Sequence, residues 1–233
     1  HAGAGDRPEW GMVEHAGAGD RRFLLPYLLG DRVDTKRFAR RVYIDLGASH
    51  WNTSLKWHVD NNPVVFDEYH LFEAKFKTEL PKSDVLGKTI LSAPARKRRH
   101  LPQQKGGAQK VGESMRTRTF AHHAYVGLED NPSTDPPTIN ITRYLYDVVR
   151  ITEKDTFVTV KCDIEGSEWQ IIQSWDKDHT LDYIHEMFVE IHYGDSRRLH
   201  SLGWNKYQPY KRQDAIDMYT RLRDQGVFTH AWP

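Results

Sequence analysis

The sequence has a single cysteine, Cys162, among its 233 residues. An intramolecular disulfide is therefore excluded. A zinc site built on thiolates is excluded as well, because such sites usually need two to four cysteines. Small disulfide-stapled scaffolds are thus removed from the candidate classes.

An excess of charge of one sign is also missing. The chain has 33 basic and 32 acidic residues, which gives a formal net charge of +1. So small a net charge provides no overall attraction to nucleic acid or to an anionic membrane. We therefore predict no nucleic-acid partner, and the oligomeric state stays open.

Long hydrophobic runs are absent too. A membrane-spanning helix needs about 18 apolar residues in succession, and the longest apolar stretch near the start, 23–29, is interrupted by Pro26. We expect no membrane span in this chain. Because it begins at His1, we interpret it as a trimmed or processed fragment, and the sequence leaves its compartment open.

What the sequence does contain is enough apolar material for one substantial core. Hydrophobic residues make up 38% of the chain and aromatic residues 12%, a composition typical of a folded domain. The motif HAGAGDR occurs at 1–7 and again at 15–21, and two copies fall short of a repeat architecture. We interpret 1–21 as a flexible N-terminal segment and 22–233 as one domain.

Strand-like and helix-like segments alternate along that domain. This alternation is typical of βαβ units and predicts an α/β fold, Rossmann-like, with a mostly parallel central sheet flanked by helices. The predicted strands are 42–47, 64–73, 119–127, 157–163, 187–192 within the segment 183–192, and 227–230. The predicted helices are 24–40 with a break at Gly30, 53–59, a helix ending near 151, 166–174 and 214–224.

Residues 77–118 differ from their surroundings. They contain the basic run 96–99 and Gly106-Gly107, with few apolar positions and no sustained period. We predict a long surface insertion outside the central sheet. It would act as a lid or acceptor-binding flap, or be a plain surface loop.

The first motif with chemical meaning is Asp45-Leu46-Gly47-Ala48-Ser49, directly after a predicted strand. In open parallel sheets, ligands bind at the carboxyl ends of the strands, and glycine lets the backbone approach them closely. Asn52 or Thr53 would cap the following helix. Ser49 and Asn52 stand where a pyrophosphate-binding loop would have glycines, which disfavours a dinucleotide. The alternative is an ordinary strand-to-helix turn.

Acidic and basic residues end three further predicted strands. Glu73 lies 28 positions after Asp45, where an acceptor for ribose hydroxyls is expected; its alternative is a surface glutamate. Lys161 and Asp163 share one face of their strand, and Glu165 follows. These residues would line the cleft, or Lys161 would form a structural ion pair with Asp163 or Glu165.

Glu190 and His192 share a face at the end of the next strand. Imidazole is a natural general base near neutral pH, so His192 is the candidate base, although a lone histidine is more often structural. With Lys161, Asp163 and Glu165, these two residues complete the predicted catalytic group.

Together these motifs resemble the FkbM family of methyltransferases, over about residues 41 to 193. The matching segments are YIDLGASHWNTS, LFEAKF, HHAYVGLED, TINITRYLYDVV, FVTVKCDIEGSEWQII and MFVEIHY. The block Asp-Ile-Glu-Gly-Ser-Glu at 163–168 is the most specific. The sequence departs from the family pattern at Asn52, at Lys75 and in the long 77–118 segment.

The resemblance implies a class I methyltransferase fold that binds S-adenosylmethionine and methylates hydroxyl groups, with a carbohydrate or glycan as the expected acceptor. It further implies that Asp45, Gly47 and Ala48 face the methionine part of the cofactor and that Glu73 holds the ribose. Ala124 would flank the adenine, and Asp163 would lie near the methyl group. Ser49, Asn52 and Thr53 complete the expected cofactor loop.

Several alternatives stay open at the level of sequence. The hydroxyl proton could leave to His192 or Asp163, or a divalent metal held by Asp163 and Glu165 could lower the hydroxyl pKa; we expect the metal-free route. The chain could instead be an NAD-dependent oxidoreductase. It could also be a non-catalytic module that holds an acidic polymer through its basic insertion.

Overall fold

A computed structural model of the protein describes residues 27–49, 54–75, 117–194 and 210–232. The strands are β1 (Arg40–Leu46), β2 (Glu68–Glu73), β3 (Arg118–His123), β4 (Tyr125–Gly127), β5 (Thr138–Asn140), β6 (Thr156–Cys162), β7 (Glu186–Val189) and β8 (Phe228–Ala231). The helices are α1 (Ser54–Asn61), α2 (Ile141–Tyr144), α3 (Glu168–Lys177) and α4 (Arg212–Asp224). A π-helical turn, Leu145–Val149, continues α2.

Six strands form the central sheet in the order β3-β2-β1-β6-β7-β8, and each neighbouring pair is parallel. Strands β4 and β5 pair separately. Strand β6 is buried along its whole length, as expected for the middle of a parallel sheet covered on both faces. The α/β fold with a parallel sheet is therefore confirmed, and its strand order is compatible with a Rossmann-like architecture.

Apolar residues on the two faces of the sheet form two separate cores. One face packs against α2, α3 and α4, with Trp175 and Tyr219 among the buried residues. The other packs against α1 through Leu55, with Tyr43 and Phe66. Because alternate residues of β1 supply both cores, the strand is fixed from either side.

The order of strands reverses between β1 and β6. Strand β1 neighbours β2 on one side and β6 on the other, with Asp45 opposite Leu71 and Lys161, respectively. In open α/β sheets, the crevice at such a reversal, outside the carboxyl ends of the strands, is the place where ligands bind. The fold thus points to the residues that follow β1 and β6.

Two element predictions are wrong. In place of a helix over 24–40, the described part of that segment has two short 3₁₀ turns, Leu29–Asp31 and Thr35–Arg37. The side chain of Asp34 accepts a hydrogen bond from the Lys36 amide, a local bond that competes with a continuous helix. The single strand predicted over 119–127 is divided at Ala124, because β4 leaves the sheet to pair with β5.

Some predicted boundaries also move. Arg118, placed in the insertion, begins β3 and pairs with Glu68, so the end of 77–118 does belong to the sheet. Residues 77–116 lie outside the described residues, as does the segment 1–21. Strand β7 ends at Val189, so Glu190 and His192 follow the strand. Within the described ranges, no helix has the length and apolar character that crossing a membrane requires.

Candidate functional site

The carboxyl ends of β2, β1, β6 and β7 are joined beyond their last paired residues by backbone hydrogen bonds. The Gly47 amide donates to the Phe72 carbonyl at 2.9 Å, and the Asp163 amide donates to the Leu46 carbonyl at 2.9 Å. The Glu190 amide donates to the Cys162 carbonyl, also at 2.9 Å. These bonds bring the predicted site residues of four strands to one edge of the sheet.

Gly47 makes the close approach of two strand ends possible. Its φ is +91°, and a Cβ at this position would lie 1.8 Å from the carbonyl oxygen of Asp163. No side chain fits in that space, and the left-handed conformation itself favours glycine. The turn after β1 can therefore lie directly against the end of β6.

Asp45 is held beneath this edge, fully buried. One of its carboxylate oxygens accepts hydrogen bonds from the Ser54 hydroxyl at 2.8 Å and the Tyr43 hydroxyl at 3.2 Å. Burial raises the pKa of Asp45 above its ordinary value, although Lys161 opposes that shift. The side chain thus braces β1 against α1 from inside the protein.

Lys161 is also buried and connects three parts of the edge. Its Nζ donates to the Gly47 carbonyl at 2.7 Å and to Asp163 Oδ2 at 3.1 Å, and lies 3.5 Å from Asp45 Oδ1. Burial alone would lower the pKa of Lys161, but Asp45 and Asp163 outweigh it and the net shift is upward. The ammonium therefore stays charged and positions the turn, and of the two predicted ion pairs the one with Asp163 is present.

Glu73 organises the other side of the edge. Its carboxylate accepts the Ser49 amide at 2.8 Å and the Lys75 amide at 2.6 Å. Its carbonyl accepts the Ala124 amide at 3.1 Å. Glu73, Ser49 and Ala124, all predicted cofactor residues, thus lie together, and Ala48 lies beside them through its amide bond to Phe72. Asn52 and Thr53 lie outside the described residues.

His192 lies where the ends of β6 and β7 meet α3. Its Nδ1 is 2.9 Å from Oε1 of Glu168, and the same oxygen accepts the His192 amide at 2.7 Å. On the other side of the ring, Nε2 lies 3.7 Å from a carboxylate oxygen of Glu165 and 3.7 Å from one of Glu190. The imidazole is buried, with a fixed orientation.

Burial and neighbouring charges shift the pKa values of His192 and Glu190. Burial would lower the pKa of His192, but the hydrogen bond to Glu168 and the charges of Glu168, Glu190 and Asp163 together outweigh burial and raise the pKa to about 9. Burial and the neighbouring Asp163 raise the pKa of Glu190 to about 8. The pKa of the imidazole is therefore shifted upward, because a carboxylate partner stabilises its charged form.

Glu168 is the functional residue that sequence reasoning missed. It is the last residue of the block Asp-Ile-Glu-Gly-Ser-Glu at 163–168, in which only Asp163 and Glu165 are predicted site residues. Its buried carboxylate holds the His192 ring and also accepts the Gly166 amide at 2.8 Å. The available signal was an acidic residue in the first turn of an otherwise apolar helix face, where a charge needs a partner.

Three side chains at the edge have the arrangement of metal ligands. One ligand atom each from Asp163, Glu165 and His192 lie within 4.8 Å of one another. The side chain of Glu165 is 69% exposed and that of Asp163 is 26% exposed, whereas His192 is buried. The set therefore has one face toward solvent and one anchored in the protein.

Comparison of the chain with protein-family models, with curated proteins and with solved structures finds no match in any of the three. Function is therefore inferred from the fold and from the residues at this edge.

Proposed function

We propose that the protein is an S-adenosylmethionine-dependent O-methyltransferase that acts on a hydroxyl group, with a carbohydrate or glycan as acceptor. The observation that carries the proposal is the chemistry of the edge at the strand reversal. Acidic side chains end β2 and directly follow β6 and β7 there, namely Glu73, Asp163 and Glu190, and Glu165 adds a fourth. A crevice of this kind favours a ligand that is cationic and has no phosphate groups.

This charge distribution separates the proposal from the oxidoreductase alternative. The strand order alone does not, because dinucleotide-binding sheets share it. The pyrophosphate of NAD would bring negative charge to an edge that already has the carboxylates of Glu73, Asp163 and Glu165. Bound S-adenosylmethionine would supply an electrophilic methyl group on a positively charged sulfur, which those carboxylates attract.

The residues of the edge would divide the work of binding. Glu73, half-buried and already fixed by two amides, would accept bonds from the ribose hydroxyls with the remaining lone pairs of its oxygens. The Gly47–Ala48 turn would face the methionine part, and Ala124 the adenine. Asp45 would support the turn through Ser54 and Lys161, since its side chain is buried.

Proton removal from the acceptor would fall to His192, with Asp163 as the second candidate. Because the pKa of His192 is raised to about 9, the ring is mainly charged near neutral pH. A positive charge placed next to the imidazole lowers its pKa by like-charge repulsion. A cationic ligand beside the ring would thus favour its neutral, proton-accepting form.

Calorimetric titration with S-adenosylmethionine, with its demethylated product and with NAD tests this function. We expect binding of the first two. Glu73→Gln should weaken binding by about 1–3 kcal/mol, the scale of a lost hydrogen bond to a charged group. Glu153→Gln is the matched control, since this half-exposed glutamate precedes β6 and lies at the opposite edge of the sheet.

The competing outcomes are distinct. Binding of NAD alone would establish the oxidoreductase alternative. Binding of none of the three ligands by a folded chain would contradict the proposal and favour a non-catalytic module. Equal losses in Glu73→Gln and Glu153→Gln would show that the cofactor does not contact the end of β2.

A further inference from the structure

We propose that Asp163, Glu165 and His192 form a binding site for one divalent transition-metal ion of the Mn²⁺ and Zn²⁺ type. The site would use the same Nε2 of His192 that is proposed above as the base. With the ion bound, the acceptor hydroxyl would therefore coordinate the ion and lose its proton to solvent instead of to His192 or Asp163. Metal binding and cofactor binding can be tested separately. Four features of the described residues support the metal site.

The first feature is distance. Metal–ligand bonds to carboxylate oxygen and imidazole nitrogen are about 2.0–2.2 Å, so two ligands of one ion lie at most about 4.2 Å apart. His192 Nε2 and Glu165 Oε2 are 3.7 Å apart, and all three ligand atoms lie within 4.8 Å. The remaining distance, about half an ångström at most, can be closed by the partly exposed side chains of Asp163 and Glu165.

The second feature is the support behind the histidine. A metal-binding histidine almost always has its other ring nitrogen hydrogen-bonded to a carboxylate, a carbonyl or water. Glu168 makes this contact with Nδ1 at 2.9 Å, which directs Nε2 toward Asp163 and Glu165. The other oxygen of Glu168 holds the Gly166 amide, next to Glu165 in the chain. One buried carboxylate therefore fixes the positions of two of the three ligands.

The third feature is charge. Asp163, Glu165 and Glu190 bring three carboxyl groups to one small volume. The nearest lysine, Lys161, hydrogen-bonds to Asp163 and to the Gly47 carbonyl. Like charges held this close repel each other, and a divalent cation removes the repulsion. Glu190, 3.7 Å from Nε2, can also reach the ion.

The fourth feature is the mixture of ligand types and their exposure. Imidazole with two carboxylates suits Mn²⁺, Fe²⁺, Co²⁺ or Zn²⁺, whereas Mg²⁺ and Ca²⁺ prefer oxygen alone. Three protein ligands leave coordination positions open, and the exposed faces of Asp163 and Glu165 place these toward solvent. Neighbouring hydroxyls of a sugar could occupy them.

Titration of the full chain with MnCl₂, after treatment with a chelator, tests the site. We expect one Mn²⁺ per chain, with ¹⁴N modulation from an imidazole in the pulsed electron paramagnetic resonance spectrum. Glu165→Gln should weaken binding at least tenfold and is expected to fold normally, since the side chain is exposed. His192→Gln should abolish the nitrogen signal.

A matched control uses a carboxylate and histidine pair elsewhere. Asp182 lies 3.6 Å from His179 in an exposed turn before β7, at the opposite edge of the sheet. Asp182→Asn should leave Mn²⁺ binding unchanged. Glu168→Gln keeps an acceptor oxygen but loses the charge, and should weaken binding about 10–100-fold.

Absence of stoichiometric binding, or an unchanged affinity in Glu165→Gln, would overturn the site. A nitrogen signal that survives in His192→Gln would overturn the assignment of that ligand. A chain that binds S-adenosylmethionine but not Mn²⁺ contradicts the metal site alone. A chain that binds Mn²⁺ but not S-adenosylmethionine contradicts the methyltransferase proposal alone.

Discussion

At the scale of single residues, the tightest backbone requirement at the site is that of Gly47. Its positive φ and the carbonyl of Asp163 exclude any side chain. Gly226, after α4, has a similar φ of +90°, but a Cβ there would meet nothing within 4 Å. A substitution at Gly226 therefore tests backbone strain alone, whereas one at Gly47 tests backbone strain and steric collision together.

Gly47→Ala should destabilise the protein by about 2–5 kcal/mol, because strain and overpacking combine. Gly226→Ala should cost only about 1–2 kcal/mol, the cost of a left-handed conformation alone. Urea unfolding of both variants measures the difference. Equal losses would mean that the β1 turn is not pressed against the end of β6.

Some residue roles could be predicted from the sequence and others could not. The ends of parallel strands share one edge, so the convergence of Glu73, Asp163 and Glu190 follows from the strand pattern. The burial of Asp45 does not follow, because a continuous apolar run does not show which face of the strand meets solvent. The role of Glu168 depends on a contact 24 positions along the chain, which no local pattern contains.

At the scale of elements, α2 is attached to the sheet through a buried polar group. The hydroxyl of Tyr144 lies 2.9 Å from Nδ1 of His70 on β2 and 2.7 Å from Nε2 of His122 on β3. His70 in turn lies 3.2 Å from Glu68. One phenol therefore joins α2 to two strands.

Tyr144→Phe should lower the free energy of unfolding by about 1–3 kcal/mol, because the buried ring of His70 and the half-buried ring of His122 each lose a partner. Tyr146→Phe is the control within the following turn, since its hydroxyl makes one longer contact, 3.3 Å to Thr180. Tyr146→Phe should lower the free energy of unfolding by only about 0.5 kcal/mol. Denaturant unfolding at constant pH compares them, and indistinguishable losses would argue against the link to the sheet.

Helices and strands can be predicted from the sequence where their hydrophobic pattern is clear. Strands β1, β6 and β8 and helix α4 match their predicted positions closely, because each has a clear apolar period or run. The division at Ala124 could not be predicted, since it depends on β4 pairing with β5. The false helix at 24–40 shows the same limit, because capping by Asp34 and contacts to other elements decide that segment.

At the scale of the whole molecule, the buried His58 of α1 makes the stability of the fold sensitive to acid. Its ring lies 4.5 Å from that of Phe188 on β7 and 5.3 Å from that of Trp232 after β8, measured between centroids. Burial lowers the pKa of His58 well below its ordinary value, and Lys161 and His230 lower it further. The folded protein therefore keeps this ring neutral.

Stability should fall below about pH 6.5 as a result, because the unfolded chain takes up a proton on His58 that the folded chain does not. Between pH 7 and 5 this group should account for up to about 2 kcal/mol. His58→Leu should remove that part of the pH dependence. His123→Leu, at an exposed ring with the opposite burial, should leave it unchanged.

Urea unfolding at several pH values gives the comparison. His122 and His185 also have lowered pKa values and remain in both variants, so the difference between the variants isolates His58. Parallel curves for the wild type and His58→Leu would show that His58 accepts its proton in the folded state.

The sole thiol of the chain lies in the middle of the central sheet. Cys162 ends β6, opposite Leu46 and Val189, and is fully buried, which raises the pKa of the sulfur well above its ordinary value. An alkylating reagent can reach a thiolate there only after the strands around it separate. The rate of labelling thus reports the opening of the sheet around β6, and the native thiol serves as the reporter without any engineered residue.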